Sequence, residues 1–172
     1  MSESDLRKSI LLMLEELSDR LLRMYPEEIR ECMAALDDEE IWWRPNAASN
    51  SVGNMVIHLT ANLNHYLGRG IVASGYQRTR PAEFAEQGPI HRDELMRRFD
   101  EALGWARRAY DQVTPDTLLD TAELGEESME IARLLVGVLA HFNGHVGQII
   151  YVTKMIKGAK FPGELWYRVR DH

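Results

Sequence analysis

Between residues 128 and 157, apolar side chains recur every three or four positions, and the face they form also carries two histidines. Leu134, Val138, Ile149, Val152 and Ile156 share one side of a helix with His141 and His145. Such spacing is the mark of an α-helix with one face in a core. Side chains at i and i+4 stand one above the other, about 5–6 Å apart. Two imidazoles placed this way point inward. They can be core histidines bonded to nearby oxygens, or both can bind one metal ion at about 2.0–2.1 Å each. A third ligand elsewhere in the chain decides between these readings.

Three further segments have the same periodicity. Residues 4–36 carry Leu6, Ile10, Met13, Leu17, Leu21 and Met24, then Ile29, Cys32, Met33 and Leu36. Ser4 or Asp5 caps the start, and Pro26 kinks the helix without ending it. Cys32 lies on the apolar stripe and reads as a small buried hydrophobe. Residues 51–70 open on Ser51 and carry Val52, Val56, Leu59, Leu63, Tyr66 and Leu67. Residues 92–113 carry Leu95, Phe99, Leu103, Ala106, Tyr110 and Val113. The fourth helix begins at a Ser128 cap and stops at Gly158, after a loop over residues 116–127 with a short extended piece at 120–124. Gly137, Gly144 and Gly147 each cost that helix about 1 kcal/mol relative to alanine, which predicts close approach of another backbone or a bulky group. With no strong strand signal and no internal repeat, the expected fold is an all-α four-helix bundle, one domain over residues 1–172. The short aromatic C-terminal tail, with Phe161, Trp166 and Tyr167, is expected to pack on it.

Composition narrows the function. A net charge of −7, with arginines no more than paired in sequence, argues against nucleic-acid binding. No apolar run reaches the roughly 18–20 residues of a membrane span, and no basic-then-apolar leader opens the chain. A single cysteine excludes an internal disulfide and suits a reducing cytoplasm.

Beside the core stripe of the second helix runs another, Asn54, His58, Asn62, His65 and Arg69. His58 stands on the border between the two and is the candidate third ligand with His141 and His145. His65 lies two turns on, about 10 Å away, too far to share a metal with His58, and is expected in an outer sphere or at the surface. Asn62 and Gln148 are candidates to orient a bound water or substrate. Residues 71–90 form the longest connection, and long connections in compact domains are commonly functional. Arg78 and Arg80 on it are either solvated, paired with Glu83 or Glu86, or part of a flap that binds an anionic substrate group. Of the adjacent Trp42 and Trp43, one is expected on the core and the other on a groove or partner surface. Arg44 beside them reads as stacked on an indole or as an anion site.

Helix bundles hold metals with ligands projecting inward from facing helices. A histidine on the second helix with His-x-x-x-His on the fourth resembles the DinB/YfiT-like superfamily of metalloenzymes. Trp42-Trp43-Arg44-Pro45, Asn50-Ser51-Val52-Gly53-Asn54 and His58-Leu59 look like the entry to that superfamily's second helix. Arg80-Pro81-Ala82-Glu83-Phe84, with His141-Phe142 through Tyr151, looks like an uncharacterised DinB-related branch. The resemblance implies a divalent metal on three histidines, dimeric assembly, and in some members transferase or isomerase chemistry with a low-molecular-weight thiol.

Three neutral imidazoles leave an ion its full charge and an open position, which suits either activation of water or binding of a thiolate. Zinc, nickel, iron and copper all accept such ligands. The expectation is a metal-dependent enzyme, transferase or hydrolase, acting on a small molecule. Aromatic residues left over after packing add the expectation of a homodimer. The alternative is a non-catalytic dimeric module that keeps the fold.

Overall fold

A computed structural model describes residues 2–161. Residues 162–172 of the expected aromatic tail, Trp166 and Tyr167 included, lie outside the described residues. Phe161 packs against the core edge, with the Lys154 ammonium 5.2 Å from its ring centre.

The first helical segment runs as α1 (Glu3–Asp19) and α2 (Tyr25–Ala35), joined by a π-wound turn over Arg20–Met24. The turn has a cause two residues on. Pro26 has no N–H to give the helical ladder, and its ring crowds the preceding turn. Widening that turn accommodates it, and the Tyr25 N–H reaches the Arg20 carbonyl five residues back. The start is capped two to three residues earlier than expected. Ser2 and Asp5 form a reciprocal capping box.

The apolar stripe of α1 departs from expectation more sharply. No residue of α1 is buried, and Leu6 and Met13 are 47% and 62% exposed. The core begins at Leu21 and continues through Tyr25, Ile29, Cys32 and Met33 of α2. The periodicity is present in α1, but only its C-terminal part meets the core, where Leu14 and Leu17 pack partly buried.

Next come α3 (Asp38–Ile41), capped by Asp37, and α4 (Val52–Leu63), capped by Ser51. A second π-wound turn, Asn64–Arg69, extends α4. A six-residue helix, α5 (Arg80–Ala85), stands inside the long connection, before α6 (Arg92–Gln112). Ser128 does not cap the fourth long helix. Strands β1 (Thr121–Glu123) and β2 (Ser128–Glu130) pair antiparallel, and α7 (Ile131–Lys157) starts directly after them.

Helix α4 packs on both α6 and α7, and α2 packs on α7. At the centre Phe142 of α7 lies between Tyr25 of α2 and Phe99 of α6, ring centres 6.4 and 6.2 Å apart. The all-α bundle is as expected. Ile131–Lys160 is long and apolar enough by composition to cross a membrane, which the sequence reading missed. Here its apolar face lies on α2 and α4. Gly137, Gly144 and Gly147 are exposed, and a Cβ at any of them meets nothing within 4 Å. The expected close approach is therefore not their reason.

Core deletion distinguishes the two ends of the first segment. Leu21→Ala is expected to cost about 2–5 kcal/mol. Met13→Ala is expected to stay within about 0.5 kcal/mol. Urea unfolding of both variants measures the difference.

Candidate metal centre

Helix α4 brings His58 to the site and α7 brings His141 and His145. Phe142 and Val146 are buried in the core. That fixes the rotation of α7 and turns the two preceding positions, His141 and His145, towards α4 at about 100° per residue. One ligand atom from each of the three histidines lies within 4.8 Å of the others. The Nε2 atoms of His58 and His141 are 2.8 Å apart, and the ring centres of His141 and His145 are 4.5 Å apart. Nitrogens each about 2.0–2.1 Å from one ion stand about 3 Å from one another, so the cluster fits a divalent cation. His145 Nδ1 is buried with no hydrogen-bond partner among the described residues, a polar atom left to be satisfied.

Burial lowers the pKa of all three rings. His141 is taken to about 4 by burial and then by its neighbours His145 and His58. For His58, burial outweighs the opposing effect of Glu83. For His145, burial and His58 outweigh the effect of Gln148. All three imidazoles are therefore neutral near pH 7, as metal ligation requires.

The partner of His58 was not foreseen. Its Nδ1 donates to Glu83 Oε2 at 2.7 Å, and both side chains are buried. Glu83 also receives Arg78 on both oxygens, at 2.7 and 2.9 Å. Arg78 is thus an ion-pair partner, one of the alternatives the sequence left open. A signal existed in the spacing of Arg78 and Glu83, but nothing in it said that the pair would be buried beside His58. Phe84 lies on the His58 ring, centres 4.9 Å apart.

A cavity of about 310 Å³ opens beside the histidines, lined by His58, Asn62, Arg78, Arg80, Leu134 and His141 among others. The Asn62 side-chain oxygen is buried and lacks a partner among the described residues. Arg80 is exposed at the rim. Gln148 is exposed on α7 next to His145. His65 is half-buried against Tyr66, away from the cluster. Arg44 is neither an anion site nor a stacking cation. It donates to the Asn54 side-chain oxygen at 2.8 Å and to the Glu86 carbonyl at 3.2 Å. Trp42 is half-buried and donates to the Ile90 carbonyl, while Trp43 is 41% exposed.

The lowered pKa values set a pH dependence. An unfolded histidine titrates near 6.5, so below that pH the unfolded chain takes up protons that the folded cluster refuses. Stability from this source is complete above about pH 6.5 and is lost as pH falls towards 4. The urea midpoint of the metal-free protein is expected to fall over that window. His141→Gln should flatten the fall, which parallel titrations of the two proteins measure.

The fold has a solved counterpart. A conserved protein from Enterococcus faecalis superposes with a TM-score of 0.67 over 83% of this chain and 96% of its own, at 18% identity. That likeness speaks to fold alone. No curated protein matches the chain. The family model for proteins of unknown function called DUF1572 matches residues 12–163. The chain therefore belongs to the DUF1572 family, which is DinB-like in fold.

Proposed function

We propose that this protein is a metal-dependent enzyme that holds a divalent cation on His58, His141 and His145 and acts on a small molecule in the adjoining cavity. The observation that carries this reading is the convergence of three neutral, inward-facing imidazoles, one with a buried unpartnered nitrogen, beside a cavity of about 310 Å³. A bound ion supplies Lewis acidity towards a water or a low-molecular-weight thiol, so hydrolase and thiol-transferase chemistry share the same starting point. Zinc, nickel and iron suit the all-nitrogen donor set.

The residues around the cluster have separable tasks. Asn62 offers its free side-chain oxygen to an N–H or O–H of the ligand. Arg80, at the rim, faces an anionic group, while Arg78 is largely engaged by Glu83. Leu134 and Val138 form an apolar wall that excludes water. Gln148 is the outer candidate to orient a molecule at His145. The reading includes a homodimer, supported by the apolar side chains Leu6, Leu11, Leu12 and Met13 left exposed on α1. Sedimentation is expected to give twice the chain mass of 19.8 kDa, and a monomer at micromolar concentration removes this part.

Protein purified without an affinity tag is expected to carry about one equivalent of divalent metal per chain. His145→Ala should weaken that binding by more than about a hundredfold, beyond what loss of an outer-sphere group costs, and keep its helical circular dichroism. Retention of full affinity, or no metal in the parent, favours a non-catalytic module that keeps the fold. Arg80→Ala should leave the metal bound. It should weaken an anionic ligand about tenfold more than its neutral isostere, the worth of one charged hydrogen bond.

A further inference from the structure

We propose that Glu83 is a positioning residue for His58: its carboxylate holds the ring in the tautomer and rotation that direct Nε2 at the metal. The inference rests on the three-histidine reading above. An ionised carboxylate can only accept hydrogen bonds. The 2.7 Å bond to Glu83 Oε2 therefore places the ring proton of neutral His58 on Nδ1 and the lone pair on Nε2. That lone pair faces His141 Nε2, 2.8 Å away. Turning the ring over would break the bond to Glu83.

Arg78 keeps Glu83 in the state this role needs. Its Nε donates to Oε1 and its Nη2 to Oε2. With His58 donating to Oε2 as well, both Glu83 oxygens accept from N–H donors, the arrangement of an ionised carboxylate. Arg78 Nη2 also stands 3.3 Å from His58 Nδ1, but both are donors, so Glu83 is the acceptor for each.

The carboxylate arrives from a distant part of the chain, and the backbone that carries it is clamped. Asn54 lies four residues before His58 on the same face of α4. Its Nδ2 donates to the carbonyls of Glu83 and Glu86 at 3.1 and 2.8 Å. Arg44 binds Asn54 and the Glu86 carbonyl together. Trp42 donates to the Ile90 carbonyl and covers Gly88 so closely that a Cβ there would come within 2.6 Å of the indole. One face of α4 thus grips α5 twice, by its backbone through Asn54 and by its side chain through His58. The Trp42–Asn54 stretch acts through this clamp on the placement of the Glu83 carboxylate.

The test uses the full chain and zinc alone. In the metal-free wild type, nitrogen-15 imidazole spectra are expected to show His58 in the Nδ1–H tautomer. Glu83→Gln is expected to mix the tautomers and to weaken zinc by about 10–100-fold in chelator competition, with stoichiometry unchanged. Glu83→Asp should recover part of the loss, which a purely space-filling role would not produce. Asn54→Ala should also weaken zinc, with Glu83 still in the chain. A wild-type His58 in the Nε2–H tautomer overturns the proposal even if no variant folds. Zinc binding in the wild type with equal affinity in Glu83→Gln overturns the proposal and leaves the three-histidine reading standing. No zinc binding by the wild type removes that reading and this one with it.

Discussion

The Glu83 carboxylate is the buried charge that the site end of the bundle is built to satisfy. Moving an ion from water to a protein interior costs several kcal/mol unless it is paired and hydrogen-bonded. Arg78 and His58 supply that pairing at 2.7–2.9 Å. Because Arg78 and Glu83 both belong to the connection between α4 and α6, satisfying the charge draws the connection onto α4. The same contact makes this stretch part of the site wall, so it is no detached flap. Order in residues 76–90 and the geometry of the histidine cluster are consequently one property.

Core packing sets the other half of the cluster. Phe142 is locked between Tyr25 and Phe99, and it sits next to His141 in sequence. A helix cannot turn one residue without turning its neighbours, so the aromatic stack that stabilises the core also aims His141 and His145. Metal ligation then asks for no rearrangement of α7. It asks three neutral rings, already within 4.8 Å, to exchange their present contacts for an ion. The cost of assembling three desolvated imidazoles is carried by the bundle, and their lowered pKa values record it.

The two π-wound turns mark where the helices depart from regularity. The first answers Pro26 and leaves α1 extending beyond the core. The second, Asn64–Arg69, follows Asn62 and includes His65 and Tyr66, at the end of α4 that faces the cavity through Asn62 and Tyr66. Surface left apolar by the first irregularity is the part of the molecule the proposed dimer would use.

Periodicity and residue type by themselves determined the four long helices, the inward placement of His141 and His145, and His58 as their partner. Those inferences depend only on spacing along a helix, which the local geometry of the backbone imposes. The exposure of α1 was not legible, because a stripe shows that a face is apolar and not that a neighbour reaches it. Nor was the open space around Gly137, Gly144 and Gly147, for which helix cost and close packing are separate questions. The tertiary structure alone decided the role of Glu83. Its partner His58 lies 25 positions away, its charge survives burial only because Arg78 folds beside it, and Asn54 and Arg44 place its backbone through contacts that no local pattern encodes.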